Sequence, residues 1–330
     1  MNDLDSLLID ASDILKLNHE NFRDLKNSHL VILGGTGCLG LWMSTIIKIL
    51  NDEYKFNIKT TIVSRNLKNK IFLNHILNEW KNFYHLRSDV RNLSELPNDA
   101  NYIIHAATDS NSKFNGSQPF DSSSVIVEGT FNILKACYNL NSLKKISYLS
   151  SGLVVKPNDI YSHSKKYAEI MCDASRQQDR LPIVIIRPYT IIGPFQQVSS
   201  SFAHTMFIED AINNNKIRLL TDGSSSRGYI YGLDAAYWTL IFTLSGIPGD
   251  RLSLGSNEMI SIKDLAQKIS SLTKNKPEVI SGISRRLNHY SNSFEVELTN
   301  EIDRFNYKIF TNFDNALKKS IIWFEERVKP

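Results

Sequence analysis

The sequence predicts an α/β protein: a doubly wound parallel sheet with a smaller C-terminal region interleaved with it. Three observations predict this. Short β-branched apolar runs alternate with helical stretches between residues 29 and 187. The first run ends in a glycine-rich turn, Gly34-Gly35-Thr36-Gly37-Cys38-Leu39-Gly40. After Arg187-Pro188 the alternation loosens into shorter pieces.

Leu4, Leu7, Leu8, Ala11, Ile14 and Leu15 recur at helical spacing, so residues 3–27 are expected as an amphipathic helix. This N-terminal extension, 1–28, is read as packing without a catalytic role. Residues 29–33, 58–63, 84–87, 101–107, 145–150 and 182–187 read as strands, and 39–50, 125–140 and 160–175 as helices. Strands joined through helices need crossovers, hence parallel pairing with both faces covered. Within 188–330, residues 199–214, 233–244, 261–271 and 315–328 read as helices, and 216–220 and 251–255 as strands. Residues 223–228 read as a Gly/Ser-rich loop. Roughly 229–255 is expected to return to the first domain. No repeat or low-complexity tract is visible.

The chain has 330 residues, 42% hydrophobic and 22% charged, with a formal net charge of +4. This is ordinary for a soluble globular protein, and the dispersed charge argues against nucleic acid as a partner. A small anionic ligand would suit the surplus. Cys38, Cys137 and Cys172 are three and widely spaced, so neither a disulfide framework nor a zinc site is indicated. That cysteine usage, an acidic start without a signal-like apolar core, and no run of ~20 apolar residues together predict a cytoplasmic protein off the membrane.

Gly34-x-x-Gly37-x-x-Gly40 follows a predicted strand and opens a predicted helix. In that setting the glycines allow a tight turn, close approach of a pyrophosphate and tight helix–strand packing, as in a Rossmann-type domain. The helix N-terminus supplies partial positive charge, so Thr36, Cys38 and Leu39 are expected at the phosphates with the glycines. Residues 29–187 are therefore read as an NAD(P)-binding domain. A carboxylate normally follows the second strand to hold the ribose of NAD. Here the strand ends Ser64-Arg65-Asn66, which favours the 2′-phosphate of NADP, with NAD as the alternative. A solvated Arg65 is the plainer reading. Asp89-Val90 could receive the adenine, and His105-Ala106-Ala107 could let the cofactor approach a small-residue wall. His105 reads better as a core or turn histidine than as a proton donor.

Tyr161 and Lys165 lie four apart on a predicted helix and share a face. A tyrosine near its ordinary pKa of about 10 is a poor base at neutral pH. A fixed ammonium, helped by a cationic nicotinamide, should lower that value, and Lys165 could also hold the nicotinamide ribose. Ser151, closing a strand, could share the substrate oxygen's proton. Of thirteen tyrosines, only Tyr161 has a lysine four residues on. An exposed helix pair is the competing structural reading.

At this point the chain resembles the extended short-chain dehydrogenase/reductase family, in its nucleotide-sugar epimerase/dehydratase/reductase branch. The resemblance runs over residues 29–328. It is carried by the Gly34–Gly40 turn, Asp89, His105-Ala106-Ala107, Ser150-Ser151, Tyr161 with Lys165, and Ile186-Arg187-Pro188-Tyr189 leading to Gly193-Pro194. Arg227-Gly228-Tyr229-Ile230-Tyr231-Gly232-Leu233-Asp234 and Leu254-Gly255-Ser256 with the helix after it match later segments. The resemblance implies Arg187 and Pro188 at the cofactor and a nucleoside-diphosphate sugar in the C-terminal region, with Arg227 on its diphosphate. Thr190 stands where relatives carry an asparagine that contacts substrate. A homodimer through the helices at 125–140 and 160–175 is implied too.

Gly152-Leu153 follows Ser151 where the 4,6-dehydratases carry Asp-Glu, and the glutamate of the sugar-acid decarboxylases is also missing. Dehydration and decarboxylation are therefore disfavoured. Cys38 and His163 offer no convincing second acid–base pair for a double epimerisation. The expected function is an NAD(P)H-dependent reductase of a 4-keto nucleoside-diphosphate sugar, with NADPH favoured, in deoxysugar or surface-polysaccharide precursor synthesis. A C4 epimerase with tightly held NAD is the alternative, and a non-catalytic NADP sensor a remote one.

Overall fold

Seven strands form one parallel sheet because their residues must be covered on both faces. The computed structural model describes residues 3–65, 80–108, 118–199, 202–213, 216–281, 296–297 and 299–328. The sheet uses β1 (His29–Leu33), β2 (Lys59–Ser64), β3 (Phe83–Arg87), β4 (Tyr102–His105), β5 (Lys145–Leu149), β6 (Ile183–Pro188) and β10 (Arg251–Leu254). Their order is β10-β6-β5-β4-β1-β2-β3. Every residue of β1 is buried. Leu30 and Ile32 point into one apolar cluster and Val31 and Leu33 into the other, so each face of the sheet carries its own core.

Helices α3 (Pro119–Tyr138) and α4 (Ile160–Gln178) cover the second face, and α2 (Cys38–Asp52) and α6 (Gly232–Ser245) cover the first. α6 is apolar nearly all round because it is buried all round, from Gly232 to Thr243. It leads into β10, which pairs with β6 through Leu252 and Ile186. The rest of the C-terminal half holds β7 (Thr190–Ile192), α5 (Ala203–Asn213), β8 (Lys216–Leu219), β9 (Ser226–Tyr231), β11 (Met259–Ser261), α7 (Ile262–Leu272), β12 (Glu278–Ser281) and α8 (Phe313–Val328). β11, β9 and β7 make a small mixed sheet, and β12 pairs with β8. No helix among the described residues is long and apolar enough to cross a membrane.

Two expectations change. The N-terminal helix, α1 (Asp3–Lys16), stops well short of residue 27. Asn18 Nδ2 donates to the Ile14 carbonyl at 2.7 Å, and a 3-10 turn over His19–Leu25 follows. Leu7, Ala11, Leu15, Phe22 and Leu25 still join the first core. Asp10 ties this extension to the C-terminal half, accepting from Lys319 Nζ at 2.6 Å and from the Tyr231 hydroxyl at 3.2 Å. The expected loop at 223–228 is also shorter, because Ser226, Arg227 and Gly228 pair with β11. A partner thirty residues on leaves no mark in a Gly/Ser-rich run.

Asp234, fully buried at the start of α6, accepts the backbone N–H groups of Phe310 at 2.7 Å and Thr311 at 2.9 Å. Its Oδ1 has no hydrogen-bond partner among the described residues. Burial outweighs those bonds and pushes the carboxyl up to about 6. A carboxyl raised on folding contributes its stability below its ordinary pKa and loses it as pH rises through about 6. Urea titrations at pH 5 and pH 8 are therefore expected to show a stability loss that Asp234→Asn shrinks. An equal loss in both proteins would contradict this.

Candidate active site

The strand order makes a crevice before any side chain is considered. The chain runs outward from β1 to β3, then returns to β4 on the other side of β1. Crossovers on either side of β1 go to opposite faces, which opens a cleft at the carboxyl ends of β1 and β4. Gly34 turns into it at φ +83, its N–H donating to Val63 O at 2.8 Å. A Cβ at Gly34 would lie 2.8 Å from the backbone of Ala106 and Ala107, so the turn after β1 touches the segment after β4. Gly40 is closed against the backbone of Gly35. Gly37 differs: it is exposed, caps α2, and a Cβ there would meet only Gly34 O, at 3.3 Å. The fold itself requires Gly34 and Gly40, whereas Gly37 leaves the outer side of the turn open.

No side chain among the described residues caps α2, and its first turn holds no acid. Its leading N–H groups therefore present partial positive charge to the cleft. Thr36 and Leu39 are partly buried beside them. Cys38 Sγ donates to Pro194 O at 3.5 Å, and burial pushes the thiol up to about 12.

At the ends of β2 and β3, Ser64 Oγ bonds His85 Nε2 at 3.0 Å. Arg65 is exposed, and its carbonyl accepts from Arg87 Nε at 3.2 Å, which brings two arginines together. Asn66 lies outside the described residues. Asp89 is drawn to Arg91: its Oδ1 takes the backbone N–H at 2.9 Å and its Oδ2 takes Nη2 at 2.8 Å. That guanidinium holds the carboxyl below its usual range. Val90 is buried, its side chain 2.6 Å from where a Cβ on Gly129 would sit. His105 is buried, with Nε2 on Thr130 Oγ1 at 3.0 Å, and burial drives it down to about 3.

α4 lies across the end of β5. Asp159 and Ser162 cap it reciprocally, fixing the helix start one residue before Tyr161. The Tyr161 hydroxyl has Ser151 and Thr108 as neighbours, and Thr108 directly follows Ala106-Ala107. Lys165 is 1% exposed, donates from Nζ to Leu149 O at 2.8 Å and stands 5.0 Å from the Tyr148 ring centre. Ser151 Oγ accepts the Leu153 N–H at 3.2 Å. The three residues thus gather at the end of β5 beside the cleft.

The electrostatics correct one expectation. Lys165 does not pull Tyr161 down: burial pushes the phenol up to about 12, and the nearby hydroxyls of Ser151 and Thr108 only partly offset it. The same burial pushes Lys165 down to about 7. Desolvation is the largest influence on both groups.

Arg187, expected at the cofactor, instead closes its fork on Glu169, Nε to Oε1 at 2.9 Å and Nη2 to Oε2 at 2.7 Å. Pro188 ends β6 opposite Leu254. Thr190 opens β7 opposite Tyr229, and Arg227 lies on the neighbouring β9 opposite Ile260. Arg227 Nη1 donates to Ser226 O at 2.8 Å, and burial lowers its pKa. Sequence reasoning missed Thr108, Tyr148 and Glu169. Only Glu169 left a signal, four residues past Lys165 on the same helical face.

The sequence profile of the NAD dependent epimerase/dehydratase family matches residues 30–255. The UDP-N-acetyl-alpha-D-glucosaminuronate decarboxylase of Bacillus cytotoxicus is 24% identical over 267 residues, 72% of this chain and 81% of that protein. Among solved structures, the Bordetella bronchiseptica enzyme WbmF in complex with NAD+ and UDP superposes with a TM-score of 0.78 at 20% identity, over 93% of this chain and 95% of that one. The UDP-glucuronic acid 4-epimerase of Bacillus cereus, in complex with UDP-glucuronic acid and NAD, gives 0.79 at 17% identity, over 91% and 99%. With the glycine turn, the parallel sheet and the Tyr161–Lys165 helix in place, the chain belongs to the NAD dependent epimerase/dehydratase family, of the extended short-chain dehydrogenase/reductase type.

Proposed function

We propose that this protein is an NADPH-dependent reductase of a 4-keto nucleoside-diphosphate sugar. The observation that carries the reading is the gathering of Ser151, Tyr161 and Lys165 at the end of β5, next to a residue that can hold no acid. A Cβ at Gly152 would lie 2.6 Å from the Tyr189 ring, so the position after Ser151 has no room for the carboxylate that dehydration or decarboxylation would use. Bound NADPH supplies the hydride at its nicotinamide.

The residues of this chain do the rest. Gly37 and the first-turn N–H groups of α2 hold the pyrophosphate, with Thr36, Cys38 and Leu39 around it. Arg65 and Arg87 take the ribose 2′-phosphate, for which two guanidinium groups are chemically suited. Asp89 and Val90 border the adenine, and Ala106 and Ala107 keep the wall low. Tyr161, a neutral phenol at pH 7, donates its proton to the C4 oxygen. Ser151 is oriented by accepting from Leu153 N–H and stands beside the Tyr161 hydroxyl, so its own hydroxyl can turn to donate to the same oxygen. Lys165 supplies the neighbouring charge, and Thr190 and Arg227 face the sugar and its diphosphate. A second reading, a C4 epimerase with tightly held NAD, is favoured by the NAD in WbmF and in the Bacillus cereus epimerase. In that reading Tyr161 takes the C4 hydroxyl proton and later returns it.

Denaturing the purified protein and assaying released dinucleotide separates the two readings. The reductase should release little and bind NADPH at least tenfold tighter than NADH; stoichiometric NAD would replace it with the epimerase. Tyr161→Phe should then lose turnover by about 10²–10⁴-fold while cofactor binding persists.

The glycines allow a paired test. Gly34→Ala, at positive φ against backbone, should cost about 2–4 kcal/mol of stability. Gly37→Ala, at negative φ and only slightly crowded by Gly34 O at 3.3 Å, should cost no more than about 1 kcal/mol, yet weaken dinucleotide binding. Equal binding by Gly37→Ala would count against the site.

The proposal includes a homodimer. Phe120, Phe131 and Tyr138 on α3 and Tyr167 and Ile170 on α4 are all more than half exposed. Val127, Phe131, Tyr167 and Met171, with Arg91, Glu128 and Asn132 among them, line one groove of about 390 Å³ along these paired helices. Exposed aromatic and aliphatic side chains gathered beside a few polar ones on paired helices suit an interaction surface. Sedimentation equilibrium should find a dimer that Phe131→Glu/Tyr167→Glu converts to folded monomer; a monomeric parent protein would remove this part of the proposal.

A further inference from the structure

A carboxylate outside the proposed catalytic set ties that set together. Glu169 is 1% exposed, and its partners come from three strand ends. Ser150 Oγ, just past β5, donates to Oε1 at 2.6 Å. Arg187 on β6 closes bidentately on both oxygens, at 2.9 and 2.7 Å. Arg251 Nε on β10 approaches Oε2 at 3.8 Å, and Lys166 Nζ at 4.0 Å. On α4, Tyr161, Lys165 and Glu169 fall at successive turns of one face. Each meets the same strand end: Tyr161 beside Ser151, Lys165 on Leu149 O, Glu169 on Ser150.

We propose that Glu169 is a positioning residue, whose buried carboxylate fixes the strand end bearing Ser151 against the helix face bearing Tyr161 and Lys165. The inference rests on the proposed oxidoreductase role of those three residues. A neutral side chain of the same size could hold one hydroxyl, but it could not satisfy the Arg187 fork and supply a negative charge one turn from a buried ammonium. Lys165 is faced by Cys172 and Glu169 from its own helix, by Tyr148 from β5 and by His105 from β4. Among these only Glu169 is a carboxylate. Its charge opposes the desolvation that drives Lys165 toward neutrality.

The test titrates Lys165 in the full-length protein by NMR of ε-labelled lysine, with the signal assigned by Lys165→Met. This readout needs no turnover, so it stands even if no nucleotide sugar is a substrate. Glu169→Gln should lower the Lys165 midpoint by about one pH unit. Glu169→Asp, which keeps the charge, should largely restore it, and Ser150→Ala should leave it in place. An unmoved midpoint in a folded Glu169→Gln protein overturns the charge assignment. Gln leaves Arg187 buried without its partner, and that variant can fail to fold. Ser150→Ala then decides, because it keeps the Glu169–Arg187 pair. A roughly tenfold fall in kcat with unchanged KM for the dinucleotide supports positioning, and a parental kcat overturns it. If the parent protein turns over no sugar ketone or alcohol, the oxidoreductase reading fails while Glu169→Asp against Glu169→Gln still settles the charge by titration.

Discussion

A lysine driven into the interior sets the terms for everything around it. An ammonium at 1% exposure must be compensated locally or lose its proton. Lys165 has one carbonyl, the face of the Tyr148 ring and, a turn away, the Glu169 carboxylate. Those partners come from β5 and from α4, so the helix can neither rotate nor slide without stranding a charge. Breaking one member of such a buried set costs more than the set contributes as a whole. The position of Tyr161 follows, because it shares the helix and is held at the start of it by the Asp159–Ser162 cap.

The parallel sheet provides the second constraint. Its strand order puts the ends of β1 and β4 side by side, and Gly34 allows their following segments to touch. That contact leads through Ala106, Ala107 and Thr108 to Tyr161, so the glycine turn and the tyrosine are joined by one short stretch of chain. α6 and β10 extend the frame from the C-terminal half, with β10 completing the sheet beside β6. Asp10 clips the N-terminal helix to Lys319 and Tyr231, so the extension binds the C-terminal half as well as α2.

Much of this was legible because it is written in local pattern. The continuous apolar run of β1, helical spacing in α2 and α4, the glycines after β1 and the lysine four past Tyr161 are all short-range signals. What failed to show depends on partners distant in sequence. β9 begins inside a Gly/Ser-rich run because β11 pairs with it. Arg187 looked available until Glu169 took its fork. The direction of the Tyr161 shift was also misread, since spacing reveals a nearby ammonium but not the depth at which both groups are desolvated. Asp89 illustrates the middle case: its place after β3 was readable, but its engagement with Arg91 was not.

Gly152 carries the last step. In a chain of ordinary sequence the residue after a catalytic serine could be anything, and its identity would say little. Here the Tyr189 ring occupies the volume that any side chain would need, and the Tyr189 hydroxyl is itself fixed by the Glu297 N–H at 3.1 Å. An acid could not be introduced there without moving Tyr189 and the segment it holds. On the proposed reading the proton at the sugar oxygen therefore passes through hydroxyls alone, with one ammonium behind them. Such a set can add or remove a proton at a single oxygen as hydride moves at the attached carbon. Expelling water from the neighbouring carbons asks for a separate acid and base, and Gly152 and Leu153 supply neither.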